Sequence, residues 1–185
     1  MQNEEEIIFR IVNGDLAAFK ILVTQYEKLV SHMVGRLVQN REDAQDVSQE
    51  VFIKVYRHLH TFRFQSKLST WIAQIAYVSA INHLKKNSRK NSLTDDITDF
   101  EHCYKTMENP ETILLKKSHS EFINQQIALL PVQFRTVLTL FHLNEFSYLE
   151  IEEITGMPEG TIKSYLFRAR KLLKEKLELY IKYQR

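Results

Sequence analysis

Residues 147–173 constrain this chain more than any other stretch. Ser147 followed three residues later by Glu150 has the form of a capping box, in which each residue satisfies the other's backbone N–H at a helix start. Ile151 and Ile154 mark the buried face of a short helix. Gly156 suits the left-handed position that ends one, and Pro158 blocks its continuation. A second helix is expected from near Thr161, with Glu159 close to its positive end. Two helices joined by a glycine-containing turn form a helix-turn-helix. With 4 Gly and 3 Pro in 185 residues, the rest of the chain is expected to be helical too, with few tight turns.

The second helix has two faces. Ile162, Leu166, Ala169, Leu172 and Leu173 follow the helical period and are expected inside. Lys163, Ser164, Phe167 and Arg168 form an adjoining face of two cations, a hydroxyl and an aromatic. Such a set suits base edges and phosphates in a major groove. An ordinary helical hairpin with a solvated basic face is the alternative, since cations also favour helix C-termini.

At 44% hydrophobic and 26% charged residues the composition is that of a globular protein. No apolar run approaches the ~20 residues of a membrane span. The acidic start, from Glu4 to Glu6, lacks a signal-peptide pattern. The lone Cys103 excludes an internal disulfide, and together these features point to the cytoplasm. The net charge of +2 decides little; its distribution says more. Cations gather from Lys163 to Arg185 and at Lys85, Lys86, Arg89 and Lys90. Acids gather at Glu42, Asp43, Asp46 and Glu50, and again between Asp95 and Glu111. Two basic and two acidic patches suggest more than one partner.

In chain order, a short helix over 3–12 presents Ile7, Ile8 and Ile11, and Asn13-Gly14 breaks it. Asp15 is placed as the N-cap of a long helix, with Leu16, Phe19, Leu22, Val23, Tyr26, Leu29, Val30, Met33 and Leu37 as its apolar stripe. A third helix over 42–60 buries Ala44, Val47, Val51, Val55 and Leu59. Its separate face of Asp43, Asp46, Gln49 and Glu50 is either solvated or a dock for a basic partner. Catalysis or metal binding there lacks a completing ligand. Residues 61–71 interleave Phe62 and Phe64 with Arg63 and Lys67 in a polar stretch. The aromatics either stack single-stranded bases or plug the core beneath a loop. A fourth helix is expected from Ser69 or Thr70 to about Asn87, with Trp71, Ile72, Ile75, Ala76, Ile81 and Leu84 mostly inside. Lys85 and Lys86 at its end suit the helix dipole or phosphates. Residues 87–110 lose periodicity and read as an acidic interdomain linker. His102-Cys103 there has no further ligand to make a zinc site. A helix over 111–129 follows, and Pro131 suits the first turn of the next, which carries Phe134, Val137, Leu138 and Phe141 and ends near Asn144. The reading is an all-α chain of two small helical domains, 1–90 and 112–185, joined by linker 91–111.

The run Asp43-Ala44-Gln45-Asp46-Val47-Ser48-Gln49-Glu50-Val51-Phe52 resembles a segment of bacterial RNA polymerase sigma factors. Phe62, Ser69-Thr70-Trp71-Ile72 and Ile75-Ala76 are similar to the segment that follows it in that family. Leu130-Pro131, Ile151, Gly160-Thr161-Ile162-Lys163-Ser164 and Arg168-Ala169-Arg170 resemble the family's promoter-reading module. Two modules and a short linker are similar to the extracytoplasmic-function (ECF) group. The resemblance implies that Asp43, Asp46, Gln49, Glu50 and Phe52 bind the β′ clamp helices of core RNA polymerase. It implies that residues 62–68, with Phe62, Arg63, Phe64 and Ser66, capture an extruded base of the −10 element. Trp71, Val78, Asn82, Lys85 and Lys86 would flank the melted strand. Thr161, Lys163, Ser164, Phe167, Arg168 and Arg170 would touch the −35 element. It further implies promoter DNA, the polymerase β flap and an anti-sigma factor as partners, with no cofactor, no metal and no enzymatic activity. Val78 and Asn82 stand where many members carry Asn and Asp; Tyr165 and Glu152 stand where Arg and Ala are usual.

Two other readings remain at this point. One is a helix-turn-helix transcriptional regulator whose residues 1–90 sense a signal or dimerise. The other is a helical hydrolase using His58, His60 and nearby carboxylates.

Overall fold

The computed structural model describes residues 4–90 and 119–183. Every regular element among them is helical: α1 (Glu4–Val12), α2 (Leu16–Leu37), α3 (Arg41–His58), α4 (Leu68–Lys90), α5 (His119–Ala128), α6 (Val132–Leu138), α7 (Tyr148–Thr155) and α8 (Glu159–Tyr183). A 3-10 turn, Leu59–Thr61, extends α3, and a π turn, Thr139–Leu143, extends α6. The expected linker, its His102-Cys103 pair and the first part of the helix expected over 111–129 lie outside the described residues.

Local chemistry sets the boundaries. Gly14, at φ +91°, turns the chain between α1 and α2. The Asp15 carboxylate then accepts from the N–H groups of Ala17 and Ala18, and these bonds hold its pKa below the ordinary value. Asn40 does the same for α3 through the N–H of Asp43. The capping box at Ser147 is complete, with both reciprocal bonds formed, and Gly156 ends α7 at φ +72°.

Several expectations shift. Helix α8 begins at Glu159, two residues before the expected Thr161, because the Pro158 carbonyl already accepts the N–H groups of Thr161 and Ile162. Pro131 is the N-cap of α6 rather than part of its first turn. Helix α4 starts at Leu68, with the Trp71 N–H bonded to the Lys67 carbonyl, and runs on to Lys90. Lys85 and Lys86 therefore sit inside its last turns rather than at its end. Leu16, expected in the apolar stripe, is 67% exposed. It opens α2 on the solvent side, while Ala18 and Val34 take core places the stripe omitted.

The core is continuous across both halves. Leu22, Val30, Met33, Val51, Ile72 and Ala76 join Val137, Leu140, Ile151, Ile154, Ile162 and Leu166 in one apolar cluster. A smaller cluster of Ile127, Leu130, Phe134, Leu138 and Ala169 lies under α5 and α8. The seam between α1–α4 and α5–α8 runs chiefly where α7 packs on α4 and α6 on α2. Polar bonds cross it: Arg36 donates to Asn124 (2.8 Å), Gln39 to the Ala128 carbonyl (2.8 Å) and Gln74 to the Glu153 carbonyl (3.1 Å). Arg135, 4% exposed, reaches the Ala128 carbonyl and the Leu37 carbonyl. These carbonyls lie at the C-termini of α5 and α2, where the helix dipoles favour a cation. Burial still pushes the guanidinium pKa down.

Candidate polymerase and nucleic-acid interfaces

Three surfaces hold the residues singled out by the sequence. The first is on α3. Val47, Val51 and Val55 turn inward, which leaves Asp46, Gln49 and Glu50 exposed on the other side, Asp43 half-buried at its edge and Phe52 half-buried beside them. Glu50 pairs with Lys54 (2.6 Å), whose ammonium also donates to Ser79 on α4 (3.0 Å). Asp43 lies 3.4 Å from His83 Nε2. Among the described residues Asp46 makes no such pair, so it offers the least encumbered carboxylate to a basic partner.

The second surface is the 62–68 loop and the start of α4. The alternatives for its two aromatics divide between them. Phe62 is buried, whereas Phe64 is 51% exposed and sits at φ +57°, a left-handed conformation that is costly for a bulky residue. Their rings lie 4.9 Å apart, and Phe62 is 5.5 Å from Trp71. Phe62 and Trp71 thus anchor an exposed ring at the loop tip, a surface on which a base can stack. Arg63 is exposed and Ser66 half-buried beside it. Val78 (47% exposed) and Asn82 continue along the solvent side of α4 toward the exposed Lys85 and Lys86. Lys67 pairs with Glu150 of α7 at 2.9 Å. Burial raises the Glu150 pKa, but its bonds to Ser147 and Lys67 outweigh this and leave it below the ordinary value.

The third surface is the outer face of α8. Ile162, Leu166 and Ala169 are buried, while Lys163, Phe167 (69% exposed), Arg168 and Arg170 face solvent and Thr161 and Ser164 are half-buried. The six residues expected to touch DNA therefore share the first three turns of one helix. Lys163 pairs with Glu159, which raises its pKa, and its ammonium stands 5.2 Å from the Tyr148 ring centroid. Arg170 stands 5.4 Å from the Phe141 centroid and donates its Nε–H to His142 Nε2 (3.0 Å). Phe141 and Tyr148 stack on each other at 5.0 Å. Sequence reasoning named neither ring as functional. The only local signal was the density of aromatics between Phe141 and Tyr148. The unusual Tyr165 packs on Phe134 (5.2 Å) as a core-filling ring, and Glu152 is exposed.

No described helix is long and apolar enough to cross a membrane.

The Sigma-70 region 2 family model matches residues 22–90, and the Sigma-70 region 4 model matches residues 123–173. The chain is 34% identical to the RNA polymerase sigma-H factor of Pseudomonas aeruginosa, covering 96% of this chain and 95% of that protein. It is 35% identical to the ECF RNA polymerase sigma-E factor of Escherichia coli K12, covering 97% and 96%. Its fold matches that of the sigma factor RpoE from Bartonella quintana, solved with the anti-sigma factor NepR, at a TM-score of 0.69 and 20% identity over 86% of this chain and 96% of that one. The chain belongs to the ECF sigma factors, transcription initiation factors that bind core RNA polymerase and direct it to promoters.

Proposed function

We propose the following division of labour within this sigma factor. Residues 1–90 form the module for core polymerase and the −10 element, 91–111 the linker, and 112–185 the module for the −35 element. The α3 face of Asp43, Asp46, Gln49, Glu50 and Phe52 docks on the β′ clamp helices, whose basic chemistry complements it. The 62–68 loop receives a base extruded from the melted −10 strand. Stacking on Phe64 offsets an unstacking cost of a few kcal/mol. Arg63, Ser66, Trp71, Val78 and Asn82 line its approach, and Lys85 and Lys86 hold phosphates. Thr161, Lys163, Ser164, Phe167, Arg168 and Arg170 enter the major groove at −35. The β flap receives the C-terminal module, an anti-sigma factor competes with polymerase, and the protein works in the cytoplasm.

The observation that carries this reading is the 62–68 loop, where two buried or half-buried rings prop up a third that is exposed and strained. A core plug has no need of that third ring. Transcription with purified core polymerase on promoters that are either duplex or premelted over −10 tests it. Phe64→Ala should weaken duplex opening, with a loss of about 1–3 kcal/mol at one base position. Equal activity of wild type and variant on both templates refutes the loop assignment.

A further inference from the structure

The aromatic pair beneath α8 bears on how the −35 contacts are aimed. Tyr148 comes from the first turn of α7 and Phe141 from the π turn after α6. The two elements converge on the same side of α8. Their rings are nearly parallel, at 18° and 5.0 Å, and each carries one cation of α8, Lys163 on Tyr148 and Arg170 on Phe141. Both separations are within the ~6 Å at which a cation is attracted to a ring face. Lys163 and Arg170 are seven residues apart, two turns along the same side of the helix. Phe167 lies between them, exposed.

We propose that Phe141 and Tyr148 are positioning residues for −35 recognition, forming a shelf that holds the Lys163 and Arg170 side chains extended along the groove-facing side of α8. The inference rests on the assignment of that face to the −35 element. Lysine and arginine have many rotamers, and a free side chain loses that freedom on meeting DNA. A ring facing each cationic head removes part of the loss beforehand. His142 adds direction at Arg170: its neutral Nε2 accepts the Nε–H, which leaves the terminal guanidinium nitrogens to turn outward. The shelf is not a general feature of a buried core. Phe141 and Tyr148 are only partly buried at the edge of the main cluster, and polar partners stand on their outer sides.

The test uses the full chain with core polymerase on a library of randomised −35 elements, scored by transcript yield. Tyr148→Leu and Phe141→Leu keep apolar bulk and remove the ring faces; Tyr148→Phe restores one face. Each leucine variant should lower the preference for the best −35 sequence about two- to fivefold, the range of one exposed cation–π contact, and Tyr148→Phe should behave as wild type. In a Lys163→Ala background, Tyr148→Leu should have no further effect, and likewise Phe141→Leu in an Arg170→Ala background. Losses that simply multiply in the double variants overturn the inference, because the rings then act on their own or through the fold. If Lys163→Ala and Arg170→Ala both match wild type across the library, the −35 assignment itself fails and the shelf with it.

Discussion

Arg135 offers a direct measure of what holds the two halves together. Its guanidinium is buried with no carboxylate partner among the described residues and bonds to carbonyls at the ends of two helices, one from each half. Hydrogen bonds from a charged donor are worth roughly 1.5–3 kcal/mol each. Removing the side chain also leaves a cavity and strips the Leu37 carbonyl of this donor. The Ala128 carbonyl keeps its bond from Gln39, so only part of the loss is felt there. Relief of the buried charge opposes these terms, because desolvating an ion costs several kcal/mol. The balance for Arg135→Ala is a loss of about 2–4 kcal/mol. Arg135→Met fills the space and carries no charge to desolvate, but it too strips the Leu37 carbonyl, so it should cost about 1–2 kcal/mol. At about 2–4 °C per kcal/mol for a chain of this size, the alanine variant should melt roughly 4–16 °C lower and the methionine variant only about 2–8 °C lower. Differential scanning calorimetry decides. An alanine variant that melts with wild type means the carbonyl bonds only balance the burial. Equal, large losses in both variants mean that the charge matters more than the volume, against the argument made here.

On the α3 face proposed to dock on polymerase, Asp46→Arg should weaken core capture by several kcal/mol without changing the melting temperature; co-purification with core at wild-type yield would exclude α3 from that interface. Glu50→Arg should act in the same direction, but it also breaks a bond to Lys54, so its melting temperature should fall slightly as well. Ser147→Ala removes the oxygen that accepts the Glu150 N–H and should cost about 1 kcal/mol, read as a shift of the urea midpoint at constant slope. His142 supplies a pH dependence. Burial, and then the charge of Arg170, hold its pKa below the ordinary histidine value of 6.5. The unfolded chain therefore binds a proton before the folded one does, so His142 contributes stability above pH 6.5 that declines as pH falls below it toward the folded pKa. Urea titrations between pH 7 and 5 should show a smaller decline for His142→Asn than for wild type, and parallel declines would refute it.

What the sequence made legible is local. The Ser147–Glu150 box, the Asp15 cap and the glycine at 156 are each decided by residues within four positions, so they can be read from spacing alone. The inward faces of α3 and α8 follow the same logic. The seam could not be read this way. Arg36 and Gln74 look like ordinary solvent-facing residues on their own helices, Gln39 like one in the turn between α2 and α3, and only the partner helix turns them into bridges. Leu16 shows the opposite error: it fits the helical period, but no described element covers the side it faces. The shelf of Phe141 and Tyr148 depends on three elements meeting, which no single periodicity encodes.

The seam also sets a limit of reach. The −10 and −35 elements are named for positions about 25 base pairs apart, which at 3.4 Å per step is about 85 Å of duplex. A closed chain of 185 residues has a radius of gyration of about 16 Å and is roughly 40 Å across. Packed as α7 on α4, with Lys67 paired to Glu150, the surfaces proposed for −10 and −35 do not span that length together. Binding both elements selects an opened form, and the free chain's apparent affinity for a promoter is reduced by the fraction of molecules that are open. Each ~1.4 kcal/mol of seam stability lowers that affinity tenfold. On the docking proposed for α3 and the C-terminal module, a chain spread across core polymerase would meet that cost before the DNA arrives.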